Sequence, residues 1–247
     1  MQDAGGSVAK YDPMHGGSVR PLTTDPRDPQ ICPLDRHTFE SSTVAWFRRD
    51  MRTSPDVRLV EVDSQQVVVK DWGQRSLARR FLLGRFLLRR EHRFLTLLAG
   101  LEGVPRSLGF PDADSLAIEY LSGRTLSDVN PDFLPDFFDR LDALVRQIHE
   151  RGIAHGDLDQ ENNIVVQEDG HPAIIDFGGS IQRSVLPLRR HYFDLLSRHD
   201  LRCVERQRRR FDQPPAPPGA PPVPHLAPWQ KRLLVFFRKM DREDAPP

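Results

Sequence analysis

Cysteine is nearly absent from this chain. Only Cys32 and Cys203 occur among 247 residues, with no C-x-x-C and no Cys/His ligand spacing, which argues against a disulfide framework and against a zinc site. Net charge is missing too: Lys+Arg and Asp+Glu stand at 35 each, so the overall balance selects no polyionic partner and no nucleic acid is expected. No apolar run approaches the length of a membrane span. The start, MQDAGGSVAKYDP, has no basic stretch leading into an apolar one, so neither export nor membrane insertion is expected. Internal repeats are also lacking.

The zero balance conceals an uneven distribution. From Lys70 to Arg93, seven Arg and one Lys stand against Asp71 and Glu91; from Arg183 to Arg210, nine Arg stand against Asp194, Asp200 and Glu205. Two basic segments thus flank an acidic middle. Leu and Phe at helical spacing within them read equally as a solvated face over a core or as a surface for phosphate or anionic lipid.

Residues 1–38 carry Gly pairs, five Pro and little apolar periodicity, the marks of a poorly ordered leader. Residues 213–225 form a Pro-rich linker of polyproline type, and 226–247 a basic amphipathic tail around Trp229-Gln-Lys-Arg-Leu-Leu-Val-Phe-Phe-Arg-Lys. Between these ends strands come first and helices later. Val57–Val62 and Gln66–Trp72 predict a hairpin over Asp63-Ser64-Gln65. Arg75–Gly100 predicts a helix stopped by Gly100, Val104–Phe110 and Ser115–Tyr120 two more strands. In Leu134–Arg151, Phe137, Leu141, Leu144, Val145 and Ile148 recur at three and four, giving an amphipathic helix.

That helix delivers the chain to His155-Gly156-Asp157-Leu158, then Asn162-Asn163-Ile164 and Ile175-Asp176-Phe177-Gly178. Phosphoryl transfer asks a protein for little covalent chemistry. It needs one acid beside the attacking hydroxyl and oxygen ligands that hold Mg²⁺ across the ATP phosphates. A short hairpin, Ile164–Val166 with Ala173–Ile175 over Glu168-Asp169-Gly170, carries Asn162 and Asn163 at one end and Asp176 at the other. Gly178 and Gly179 allow a sharp turn after Asp176.

These motifs resemble H-R-D-L-x-x-x-N and D-F-G of the protein-kinase-like superfamily. With Gly156 in place of the Arg, the chain is similar to its atypical branches: RIO- and Bud32-type kinases, aminoglycoside phosphotransferases and bacterial lipopolysaccharide kinases. The resemblance covers roughly residues 57–200. It implies an α+β, bilobal kinase-like fold, with an N-lobe and hinge at 39–122 and a mainly helical C-lobe at 123–212. No long activation segment is expected, since Asp194, the counterpart of the acid on the next large helix, follows Asp176 by 18 residues and no A-P-E is present.

ATP and Mg²⁺ are the implied cofactors. Lys70, ending Val-Val-Val-Lys, would contact the ATP phosphates, with Glu91 on the following helix as its ion-pair partner. Glu119, Tyr120 and Leu121 would hold adenine through main-chain groups. Asp157 would orient or accept the hydroxyl proton, and His155 would be structural. Asp176 would bind metal together with Asn162, selected by spacing from Asp157, or Asn163, which directly precedes the strand. No G-x-G-x-x-G precedes Lys70. The expected activity is that of a kinase with an alcohol acceptor, a hydroxyl of a lipid-linked or lipopolysaccharide-type sugar. The alternatives are a RIO/Bud32-like protein Ser/Thr kinase and a non-catalytic nucleotide-binding scaffold. Expected partners are ATP, a glycan or protein acceptor and an anionic membrane surface; the expected location is the cytoplasm, peripheral at the inner face of the membrane.

Overall fold

The computed structural model describes residues 34–49, 54–129, 136–216 and 219–221. It divides into two units, one holding residues up to 92 and again 106–120, the other 93–105 and 121 onwards. The expected tail at 226–247 and the expected leader, residues 34–38 aside, lie outside the described residues.

In the first unit, Asp35 caps helix α1 (Arg36–Ser41) by accepting the Thr38 N–H at 2.7 Å, satisfying one of the amides a helix start leaves open. The bonds from Thr38 hold the Asp35 carboxyl below its ordinary range. Strand β1 (Thr43–Arg48) follows. Neither element was expected from the sequence: six residues are under two helical turns for α1, and Thr-Val-Ala-Trp-Phe-Arg in β1 does not alternate apolar with polar. Strands β2 (Asp56–Val62) and β3 (Gln65–Asp71) form the expected hairpin, turned by Asp63 and Ser64. Both turn residues take positive φ, as a two-residue type I′ turn requires.

With β4 (Ser107–Asp112) and β5 (Ser115–Glu119) these make an antiparallel sheet of order β1-β2-β3-β5-β4. Leu34, Phe39, Val60, Val67, Val69 and Ala117 form its core, each large side chain contributing about 1.5–3 kcal/mol by leaving water. Fully buried Asp71, ending β3, receives Arg58 Nη2 at 2.9 Å and Arg36 Nη2 at 3.0 Å. A carboxylate at that depth persists only when paired.

The expected helix at 75–100 is interrupted. Helix α2 (Leu77–Arg79) passes through a π-helical segment, Arg80–Gly84, into α3 (Arg85–Leu97), which runs on beyond the first unit. A Cβ on Gly84 would lie 2.7 Å from Trp72 Cγ, so the close approach to the indole requires glycine. The π turn also brings residues five apart onto one face: Arg80 Nε at 3.1 Å and Arg85 Nε at 2.8 Å both donate to Asp114.

The second unit is mainly helical. Helix α4 (Phe137–Glu150) buries Phe137, Phe138, Leu141, Leu144, Val145 and Ile148 along one face and packs on α5 (Pro187–Arg210). Pro187 begins α5 at the position where its missing N–H costs nothing. Strand β6 (Gly123–Thr125) precedes α4, and β7 (Ile153–Ala154), β8 (Ile164–Gln167), β9 (Pro172–Ile174) and β10 (Ile181–Gln182) lie between the two helices along the chain. They pair as a sheet β6-β8-β9 and a ribbon β10-β7. Only Arg183 to Leu186 separate β10 from α5, so there is no long activation segment. Among the described residues no helix is long and apolar enough to cross a membrane.

Candidate active site

Lys70 is the penultimate residue of β3 and Glu91 lies on α3. Lys70 Nζ donates to Glu91 Oε1 at 2.6 Å, with side chains only 8% and 4% exposed. Burial to this degree makes each charge depend on the other. Glu119 ends β5, where its carboxylate receives the Arg106 backbone N–H at 2.9 Å and its guanidinium at 3.0 and 3.1 Å. Tyr120 stacks on Phe47, ring centroids 6.2 Å apart. Leu121 is the first residue of the second unit after β5.

In the second unit the loop after β7 is held from beneath by α5. Asp200 is 0% exposed and accepts the His155 N–H at 2.9 Å, the Gly156 N–H at 2.8 Å and His149 Nε2 at 3.0 Å. Two backbone amides and an imidazole thereby converge on one carboxylate, a set of charge-assisted bonds stronger than neutral ones. Gly156 has φ +78°, a left-handed conformation that strains residues bearing a Cβ. The amide turned toward Asp200 follows from that conformation.

His155 is used at both ring nitrogens. Nε2 faces the Ile175 carbonyl at 3.0 Å, which can only accept, and Nδ1 faces the Asp157 N–H at 3.3 Å, which can only donate. The ring proton therefore sits on Nε2, and the ring meets Phe177 edge-on at 5.0 Å. His155 ties the loop to the strand leading into Asp176.

Asn163 ties the same two segments more tightly. Its Nδ2 donates to the Asp157 carbonyl at 3.0 Å and reaches Asp157 Oδ2 at 3.4 Å. Its carbonyl accepts the Ile175 N–H at 3.0 Å, one step beyond the Ile164–Ile174 pair of the β8–β9 ladder. Asp157, Asn163 and Asp176 are thus gathered at one end of the hairpin. Asn162 is separate: it is exposed, and its Oδ1 accepts the Ser127 hydroxyl. The 3₁₀ turn Glu161–Asn163 turns neighbouring side chains apart.

Asp176 takes φ 64°, ψ 68°, a strained conformation for a residue with a side chain and one found at functional sites. Among the described residues Gly178 and Gly179 do not take positive φ; they lie in the 3₁₀ turn Phe177–Gly179. The sharp turn is therefore made by Asp176 itself, not by the glycines after it.

Asp194 is also displaced from its expected role. It is exposed on α5, and the acid beneath the loop is Asp200. The signal was present in the sequence: Phe193, Leu196, Asp200, Cys203 and Val204, all buried, recur at three and four, and Asp200 falls in that inward register whereas Asp194 does not.

Comparison with known proteins bears on the fold and the family. A RIO-domain family profile matches residues 62–214. Curated proteins gave no match. Among solved structures the chain is similar to the Rio2 kinase ADP/Mg²⁺-phosphoaspartate complex from Chaetomium thermophilum, with a TM-score of 0.53, 19% identity, and coverage of 84% of this chain and 75% of that one. The shared architecture is α+β, with a sheet-rich N-terminal region and a helical C-terminal part. Because the profile spans more than half of the sequence, the chain belongs to the RIO domain family.

Proposed function

We propose that the protein is an ATP- and Mg²⁺-dependent phosphotransferase of the RIO type, an atypical protein kinase whose acceptor is a hydroxyl or carboxylate of a protein. The observation that carries this reading is the tie of Asn163 to both Asp157 and Ile175. It supports a single cluster in which the Asp157 carboxylate serves the acceptor, while the Asp176 carboxylate and Asn163 Oδ1 are oxygen donors for a metal. Such all-oxygen donors suit Mg²⁺, which keeps waters and phosphate oxygens in the rest of its shell. When bound, ATP with Mg²⁺ supplies the transferable phosphoryl group and offsets its developing charge.

The chain's own residues do the rest. Asp157 orients the acceptor and, where that acceptor is a hydroxyl, takes its proton. Asp176 and Asn163 hold the cation, and Asn162 is set aside by its bond to Ser127. Lys70, fixed by Glu91, contacts the nucleotide phosphates, while the main chain of Glu119, Tyr120 and Leu121 receives the adenine. Asp200 fixes the loop's backbone.

The sequence-based preference for a lipid-linked sugar gives way here, because the family membership favours the RIO-like alternative and nothing among the relatives supports a lipopolysaccharide acceptor. A membrane surface remains a second reading for one reason: Leu77, Phe81 and Phe86 are 65%, 56% and 59% exposed within the Arg-rich helical segment. Salt-sensitive co-sedimentation with anionic vesicles tests it.

Labelled-ATP transfer tests the main reading, with the chain alone, with generic protein and with lipopolysaccharide core as acceptors. Label on protein is expected. The relative's structure holds a phosphoaspartate, so acid-stable Ser/Thr ester is to be separated from hydroxylamine-labile acyl phosphate. Transfer only to glycan would restore the sugar reading; nucleotide binding without any transfer would favour a scaffold.

A further inference from the structure

Asp159, His199 and Cys203 form a second cluster. One carboxylate oxygen, one imidazole nitrogen and the thiol sulfur all lie within 4.8 Å of one another. His199 and Cys203 sit one turn apart on α5, with Sγ 3.6 Å from His199 Nε2. A sulfur held about 2.3 Å and a nitrogen about 2.0–2.1 Å from a tetrahedral ion stand about 3.5 Å apart. The helix therefore presents this pair at the spacing such an ion requires. Cys203 is 1% exposed, whereas His199 and Asp159 are half-buried, so access is from their side. Arg206 Nη2 donates to the same sulfur at 3.7 Å, a contact that a bound ion would replace.

We propose that Asp159, His199 and Cys203 are a site for a divalent transition metal of the zinc class, with water completing a four-coordinate shell. The mixed sulfur, nitrogen and oxygen set separates it from the all-oxygen Mg²⁺ site proposed at Asn163 and Asp176, because thiolate and imidazole select softer ions. On binding, the Cys203 thiol loses its proton to solvent as the sulfur–metal bond forms, and thiolate and carboxylate together balance the ion's charge. Drawing the carboxylate in from as far as 4.8 Å to a tetrahedral edge moves it about 1 Å toward α5. The ion would thus pin the loop two residues after Asp157. The lack of C-x-x-C, read from the sequence as arguing against zinc, excludes fingers and ribbons but not a helical His/Cys pair completed by a remote carboxylate. Metal binding here does not depend on phosphotransfer.

The full chain, reduced and stripped of metal, is titrated with Co²⁺ in excess Mg²⁺. About one cobalt per chain is expected, with a sulfur-to-cobalt charge-transfer band and the visible bands of four-coordinate cobalt, all displaced by Zn²⁺. Cys203→Ser and His199→Gln each lose the charge-transfer band, Asp159→Asn weakens binding by at least about tenfold, and Cys32→Ser keeps the band. Absence of a thiolate band in the parent chain overturns the proposal, as does a band that survives His199→Gln or vanishes in Cys32→Ser. Should buried Cys203→Ser fail to fold, the half-buried positions His199 and Asp159 still decide the question.

Discussion

The Asp200 carboxylate accepts the Gly156 N–H at 2.8 Å through one oxygen and the His155 N–H at 2.9 Å through the other, so a helix residue with no exposed surface sets the backbone of the loop that carries Asp157. Asp200→Ala would leave two loop amides and His149 without that acceptor. A loss of about 3 kcal/mol or more in urea unfolding is expected, together with reduced transfer. Asp200→Asn retains one acceptor oxygen and should lose less.

The buried pair of Lys70 and Glu91 separates stability from nucleotide binding. Lys70→Met alone leaves the Glu91 carboxylate buried without its lysine, at a cost of about 3–5 kcal/mol. Lys70→Met with Glu91→Leu should recover most of that stability by denaturant melting. Calorimetry should show that neither variant recovers wild-type ATP affinity.

Acid stability should depend on Asp114. Burial raises its carboxyl pKa, but the hydrogen bonds from Arg85 and Arg80 outweigh this and hold it below the ordinary value. A depressed carboxyl stabilises the fold fully above its unfolded value, and that contribution is lost as pH falls through the ordinary carboxylate range near about 4 toward the folded value. In thermal melts as a function of pH, Asp114→Asn should be less stable than the parent at neutral pH and should lose less on acidification.

Asn162 and Asn163 should behave differently despite adjacency. Asn163→Ala removes the tie to Asp157 and the proposed metal oxygen, and should lower Mg²⁺-dependent turnover by about 10²-fold or more. Asn162→Ala removes an exposed bond to Ser127 and should stay within about 0.5 kcal/mol in stability, with turnover near the parent value. Equal effects in a steady-state assay would contradict the assignment.

Much of this was legible in the sequence because motif residues sit where secondary structure changes. The Lys70–Glu91 pair was expected only through the resemblance to kinase-like motifs; 21 residues apart, on a strand and a helix, the two side chains meet by tertiary packing. The β8–β9 hairpin announced itself by its turn residues. What remained hidden depended on packing. The choice between Asn162 and Asn163 turns on a three-residue 3₁₀ turn whose sequence carries no period. The π segment arises from Gly84 meeting Trp72 and two arginines sharing Asp114, contacts distant along the chain. Asp200 was readable from the inward register of α5, but its Arg-rich surroundings masked an acid in a buried stripe.

The central claim is best tested by ATP-binding calorimetry with and without Mg²⁺, run beside single-turnover transfer on the parent chain, Asp157→Asn and Asp176→Asn. The parent should bind ATP more tightly with Mg²⁺ and transfer phosphate. Asp157→Asn should retain that binding while transfer falls by about 10²–10⁴-fold, and Asp176→Asn should lose the Mg²⁺ dependence of binding as well as transfer. Three proteins with equal turnover, or a parent chain whose ATP affinity ignores Mg²⁺, would contradict the account.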